Sequence, residues 1–312
     1  MGIVSANVAD LDIVTLATHG ADRYLMWHHG LSHSLLAAVV AAPAIAGVAR
    51  LIDKRAQFRS LVLLALLGTL SHVLMDVPTT WGTTVFAPFD WSRVALHWVY
   101  VVDLFFWVIL TLPLWLGRLV PIPRARLNAV ALLLLGAYVG LCGVLREAAL
   151  QDVAAAAERQ GIPAESVTAY PAPFLPLLWT GVADDGRLLH QGRVQLVGGE
   201  PTELRAVAFK NFDHPAVQAA AKTDLGALYL GWWATSPWAE VRCVGDLRYV
   251  VLGDLRFASP FAPGEGYALV FVVAVNPDTQ EMTVQDRYWR TPWSSEPLPA
   301  ADCQDKRTST RI

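Results

Sequence analysis

Charge is scarce in this 312-residue chain: Asp, Glu, Lys and Arg make up 16% of it, against 54% hydrophobic residues. The mean hydropathy of +0.39 lies toward the membrane side of the soluble range. A net charge of −3, with no basic stripe interleaved with aromatics, excludes nucleic acid as a partner. Cysteine is nearly missing. Cys142, Cys243 and Cys303 show no CxxC spacing, which excludes a thiolate zinc site. Cys142 lies in an apolar run and reads as a packing residue, while Cys243 and Cys303 could pair only in an oxidising compartment. The opening MGIVSANVADLDIV has no basic n-region and carries two aspartates, so a signal peptide of the usual form is not seen. Insertion into a membrane would rest on internal helices.

Those helices are legible as four apolar runs: Leu31 to Ala49, Leu61 to Met75, Val94 to Gly117 and Leu127 to Leu145. Their lengths bracket the roughly 20 residues that cross about 30 Å of hydrocarbon. Arg50, Lys54, Arg55 and Arg59 crowd the first connection, and Arg118, Arg124 and Arg126 the third. The second connection holds Arg93 alone. The positive-inside rule then places connections one and three in the cytoplasm, and connection two with everything after Leu150 outside it. Trp27, Trp81, Trp91 and Trp98 fall at the outer boundary, as an aromatic belt would. The expected fold class is an α-helical membrane domain of about four transmembrane helices, followed by a β-rich extramembrane domain.

Histidine is concentrated where the basic residues are not. Six of eight histidines, His19, His28, His29, His33, His72 and His97, lie in the first 97 residues and off the cytoplasmic connections. Counting about 1.5 Å per helical residue from the basic anchors, His33 lies roughly 25 Å up its helix, His72 roughly 20 Å, Asp76 roughly 26 Å and Asp103 roughly 22 Å. Ionisable groups from separate helices thus share one slab below the outer interface, where such groups are costly unless they face a polar interior. His72 and Asp76 are i and i+4 and share a helix face. His28 and His33 flank the turn HHGLSHS, where Gly30 permits a bend and Ser32 could cap the following helix. Asp10 and Asp12 alternate around Leu11. Imidazole and carboxylate without sulfur suit zinc, manganese or iron, as one ion or two. The expected metal ligands are His28, His33, His72, Asp76, Asp10 and Asp12. His19 and His97 read as packing residues, and Asp22 and Asp90 as interfacial charges or caps.

The elements ADLDIV, HHGLSHSLL, SHVLMDVPTTWGTTVFAPFDW and VVDLFF, in order over roughly residues 7 to 110, resemble the YdjM-like family of membrane-bound, metal-dependent hydrolases. The resemblance implies ligation or catalysis by Asp10, Asp12, His28, His33, His72 and Asp76, with Asp103 in support. Asp10, Asp12 and Asp103 are the catalytic candidates. The family is similar in turn to zinc-dependent phospholipase C, which implies phosphoester hydrolysis by analogy. The chain departs from the pattern at Ala9, where the family has proline, and at His29, where it has arginine. It also lacks the family's opening Thr-His pair and first apolar helix. GIVSAN looks like the tail of such a helix, so an upstream segment with a further histidine is expected.

Four segments follow: 1–150, the helical membrane domain with the His/Asp site; 151–176, a helix and linker; 177–301, a β-rich domain; 302–312, a disordered tail. Strands are expected at Arg193 to Val197, Leu204 to Phe209, Ala227 to Trp232, Leu247 to Leu252 and Ala268 to Val275, separated by Pro and Gly. His190 and His214 read as isolated surface residues, and Trp232, Trp233 and Trp238 as core. PFLPLLW and GDLRF look like the extramembrane tail of some family members. The expected function is a hydrolase in the bacterial inner membrane, its C-terminal domain outside the cytoplasm, acting with a divalent metal, zinc first, on an amphiphilic or phosphoester substrate among membrane lipids. The rivals are a non-enzymatic sensor or anchor with a ligand-binding outer domain, and a haem-bearing electron carrier using His33 and His72.

Overall fold

Small residues recurring every four positions decide how the first apolar helices meet. Helix α1 (Gly2–Asn7) is followed by a 3-10 turn (Ala9–Ile13), then by α2 (Leu35–Ile52) and α3 (Phe58–Asp76). On α2 the buried positions are Ala38, Ala42 and Ala46; on α3 they are Ala65, Thr69 and Val73. These stripes let the two backbones approach closely, the usual device where lipid gives helices no hydrophobic reason to associate. Thr69 Oγ1 donates to Ala65 O and lies 3.5 Å from Ala38 O across the interface. Leu63, Leu67, Val39 and Val40 are exposed on the outer faces. Against α3 lies α1, with Ser5 buried over Gly68, where a β-carbon would collide.

The computed structural model describes residues 1–14, 27–244, 247–261, 270–275 and 282–288. It divides into two compact units, Met1–His97 and Trp98–Ile312. His19, Asp22, Cys303 with any pairing to Cys243, and the tail expected at 302–312 lie outside the described residues.

The second unit begins with α4 (Leu104–Leu119) and α5 (Arg124–Arg159). Three helices, α2, α3 and α5, are long and apolar enough to cross a membrane; α4, with 16 residues, is shorter. The run expected from Val94 starts only at Leu104 because Val94 is paired with Thr83 in a β-bridge and Asp103 caps the helix, its Oδ1 accepting from Phe106 N at 3.0 Å.

With 36 residues α5 is about 54 Å long, well beyond the hydrocarbon thickness. Its surplus is built into the β-rich domain. Ala149, Val153, Ala156 and Ala157 are buried against Ala169, Trp179, Ala183 and Val194, and Val153 fits because Gly181 has no β-carbon.

Strands β1 (Ser166–Ala172), β2 (Leu175–Asp184), β3 (Leu188–Gln195) and β4 (Arg205–Phe209) form one antiparallel meander. After α6 (Pro215–Ala221) and α7 (Asp224–Leu228), strands β5 (Pro237–Val244), β6 (Leu247–Asp254), β7 (Val270–Val275) and β8 (Met282–Tyr288) form a second. Tyr170, Val182 and Leu189 of the first sheet share a core with Trp238, Val251 and Leu255.

Three expectations are corrected. Residues 163–176 are not a linker: β1 starts at Ser166, and its pairing with β2 outweighs the prolines. Ala227 to Trp232 is not a strand. Thr223 caps a helix there, its Oγ1 accepting from Gly226 N, and the chain continues as a π-helical turn (Tyr229–Trp233) that stacks Tyr229 on Trp233. Trp233 and Trp238 are buried, as expected. His190 and His214 are not isolated: His190 bonds Asp185 at 2.8 Å, and His214 caps α6.

The GDLRF segment holds a buried ion pair. The Asp254 carboxylate accepts from Thr235 N, Ser236 N and Arg256 N. The Arg256 guanidinium donates to Trp233 O at 3.1 Å, lies 4.1 Å over the Trp233 ring and reaches Asp254 Oδ2 at 3.5 Å. Removing one partner strands the other charge in the core. Asp254→Ala is expected to destabilise the β-rich domain by about 3–5 kcal/mol in denaturant titration; a change below about 1 kcal/mol would show that the pair does not hold the core.

Candidate metal centre

Three stretches of the first unit supply the site. The last turn of α3 carries His72 and Asp76 on one face. The 3-10 turn Ala9–Ile13 carries Asp10 and Asp12. The turn ahead of α2 carries His28, His29, Ser32 and His33.

The turn is not built as its sequence suggested. His29, not Gly30, takes the left-handed conformation, at φ 57°. Ser34, not Ser32, caps α2, its Oγ accepting from Ala37 N at 3.0 Å. Ser32 instead donates to Asp12 Oδ2 at 2.6 Å and lies 2.9 Å from His33 Nδ1.

The loop after α3 clamps this turn. Thr83 Oγ1 donates to His33 O and Thr84 Oγ1 to His29 O, both at 3.1 Å. Gly82 O accepts from His29 Nδ1 at 3.0 Å and from the Arg93 guanidinium at 2.8 Å, and Arg93 also donates to Trp81 O. Gly82 sits at φ 75° with Ala95 pressed against it, so no side chain fits there. Buried threonines are this clamp's only mark in the sequence. Trp81 walls the site, its ring 5.8 Å from that of His28.

Four donor atoms converge. Asp10 Oδ1 lies 3.3 Å from His33 Nε2 and 3.4 Å from His72 Nε2. Asp76 Oδ2 lies 3.6 Å from His72 Nε2 and 3.9 Å from His33 Nε2. Among the described residues, His72 Nε2 and Asp76 Oδ2 are buried without a hydrogen-bond partner. Ligands about 2.0–2.2 Å from a tetrahedral ion are about 3.3–3.6 Å apart; His33, His72 and Asp76 offer donor atoms that all lie within 4.8 Å of one another, and Asp10 reaches His33 and His72 from beside them. The residues fit a divalent ion. A second set, Asp10, His28, His29 and His33, offers donor atoms within 4.8 Å of one another.

Asp12 stands behind the quartet. Its Oδ1 is 2.7 Å from His28 Nδ1 and its Oδ2 3.3 Å from His33 Nδ1, so it engages the nitrogen of His33 that faces away from Asp10 and Asp76. A carboxylate on the far nitrogen fixes a ligand histidine's ring and tautomer. Asp103, in the second unit, has both oxygens engaged, Oδ1 by Phe106 N and Oδ2 by Tyr138 Oη at 2.7 Å. His97 is buried and belongs to neither set. His29, noticed in the sequence only as a departure from arginine, stacks on His33 with ring centroids 4.3 Å apart.

The electrostatics follow from this packing. Burial disfavours charge on His33, but its hydrogen bonds to Asp10 and Asp12 and their negative charge outweigh it, raising its pKa to about 9. Burial raises Asp12, and the bonds from His28, His33 and Ser32 overcome it, lowering its pKa to about 2. Asp10 is held well below the usual carboxylate range, burial again being outweighed by His33 and His72. Burial, reinforced by His33, His28 and Arg93, pushes His29 well below the ordinary imidazole value. With Nδ1–H donated to Gly82 O, neutral His29 keeps Nε2 as an acceptor.

The family model of the YdjM inner membrane protein matches residues 1–149. No curated protein and no solved structure matches the chain.

Two measurements follow. Asp12→Ala is expected to weaken metal binding by about 10–100-fold in competition titration while the helices stay folded; unchanged affinity would show that Asp12 does not orient His33. A raised His33 pKa means a bound proton below about pH 9 that an ion must displace. Metal affinity should therefore climb between pH 6.5 and about 9, by up to roughly tenfold per unit, then level off. Affinity independent of pH across that window would contradict the assignment of His33.

Proposed function

We propose, for a chain whose first 149 residues belong to the YdjM inner membrane protein family, a membrane-bound, metal-dependent hydrolase of phosphoester or lipid-like substrates. The observation that carries this reading is the pair of buried atoms, His72 Nε2 and Asp76 Oδ2, that have no hydrogen-bond partner among the described residues and gather with His33 and Asp10 at the end of a membrane-crossing helix.

Asp10, His33, His72 and Asp76 would hold one divalent ion, zinc before manganese or iron, and Asp10, His28 and His29 are placed for a second. When bound, such an ion supplies Lewis acidity and acidifies water toward a pKa of about 7. The chain's own groups divide the remaining work. His33 is the fully buried member of the site, while His72 and Asp76 are each 16% exposed at the side chain. Asp10 is the open member, with a side chain 43% exposed, and its depressed pKa keeps it anionic for ligation. Neutral His29 keeps Nε2 as an acceptor beside it. Asp12, Ser32 and the Thr83–Thr84 clamp hold the imidazoles in place.

The substrate class rests on surroundings. Beside Ser32 a cavity of about 160 Å³ is lined by Ala37, Ala38, Ala41, Thr69 and Val73 of α2 and α3. The cavity is open on one side, and an amphiphile with its ester at the His/Asp cluster would rest an apolar portion on these alanines. The scarcity of basic residues on the second connection supports a site on the outer side of the inner membrane.

Purified full-length protein in lipid vesicles is expected to hydrolyse a phosphoester lipid, lose activity on chelation and regain it with divalent metal. His72→Ala and Asp76→Asn should lose both metal and turnover. Metal bound at full occupancy with no turnover of any phosphoester offered would overturn the hydrolase and favour the sensor.

A further inference from the structure

We propose that the tip of the β1–β2 hairpin inserts into the surface of the bilayer that α5 crosses, anchoring the β-rich domain on lipid. This goes beyond the hydrolase reading and stands without it.

The tip has the wrong chemistry for water. Ala172 pairs with Leu175, leaving Pro173 and Phe174 at the turn, with Phe174 at φ 62°. Exposed turns favour Gly, Pro, Asn, Asp and Ser, so Pro173 is ordinary there and Phe174 is not. Here Phe174 is 50% exposed, Leu175 46% and Leu177 42%. Val197, 64% exposed, joins them at the same end of the sheet, since Leu196 N donates to Leu177 O. Leu175 and Leu177 share one strand face.

Position along α5 decides what this patch meets. Val153 lies against Gly181 of β2. Beyond its C-terminus the chain enters β1 at Ser166, which pairs with Asp184. Helix and strand therefore run the same way: Val153 to Gln160 rises about 10 Å, and Gly181 to Asp184 about 10 Å. In the opposite direction Leu175 lies about 20 Å from Gly181, a distance that α5 covers in about 13 residues, down to the level of Gly140.

That level lies on the apolar side of Arg146 and Glu147, the first charged residues on α5 after Arg126. Around it α5 exposes Leu141 and Val144. From Arg146 to Gly140 is about 9 Å along the helix, within the roughly 5–10 Å to which interfacial elements sink. Lipid surrounds an apolar helix at that depth, so lipid is what covers Phe174 and Leu175.

The test uses the full chain in phosphatidylcholine nanodiscs, with Cys142, Cys243 and Cys303 replaced by alanine. Phe174→Cys carries an environment-sensitive fluorophore, and Arg187→Cys, in the β2–β3 turn at the opposite end of the sheet, carries the same label. Blue-shifted emission at position 174, quenched by lipids brominated on their acyl chains, with neither effect at 187, is the expected result. Val197→Cys serves as the reporter if the label at 174 prevents reconstitution, and Phe174→Asp with Leu175→Asp should abolish its quenching. Emission at the tip as red and unquenched as at 187, or equal quenching at both ends, would overturn the proposal.

Discussion

Two carboxylates and two imidazoles whose donor atoms meet at 3.3–3.9 Å cannot sit together at the end of an apolar helix without positive charge among them. Desolvated anions are expensive, and their cost is offset only by protons on the histidines or by an ion. The unpartnered atoms of His72 and Asp76 mark where compensation by hydrogen bonding stops. Much of the first unit can be understood as the apparatus that keeps four such groups facing one another.

That apparatus is mostly backbone. The turn carrying His28, His29 and His33 has no regular structure long enough to hold itself, so the loop after α3 holds it, through Thr83, Thr84 and the Gly82 carbonyl. Arg93 ties the same loop from its other limb by donating to Trp81 O and Gly82 O. Below them the alanine stripe on α2 and the Ala65, Thr69, Val73 stripe on α3 draw the two helices together. His72 stands directly before Val73 and Asp76 just under one turn beyond it on α3, so helix packing itself delivers them to the turn above.

The clustered His and Asp residues were legible because they obey simple spacing. His72 and Asp76 at i and i+4 on an apolar helix had one sensible geometry, and Asp10, His28 and His33 stood out as costly groups in apolar surroundings. The division of labour was not legible. That Asp12 would engage the far nitrogen of His33, or that Ser32 would leave the cap to Ser34, depends on a turn conformation set by contacts about fifty residues away in sequence. Helix lengths failed for a related reason. Val94 to Asp103 is as apolar as a span, but the Thr83–Val94 bridge and the Asp103 cap end its claim to helix. In the β-rich domain the prolines near residue 171 read as a linker and Ala227 to Trp232 as a strand, because local composition carries no record of sheet pairing or of aromatic stacking one helical turn apart.

The account stands on the quartet of Asp10, His33, His72 and Asp76 being a metal cage. X-ray absorption at the metal edge, on full-length protein purified in detergent with one equivalent of zinc, reads the coordination shell directly. The predicted spectrum has nitrogen and oxygen neighbours at about 2.0–2.2 Å, the outer-shell scattering of two imidazoles and no sulfur. A shell without imidazole, or zinc that washes away from intact protein, would contradict it.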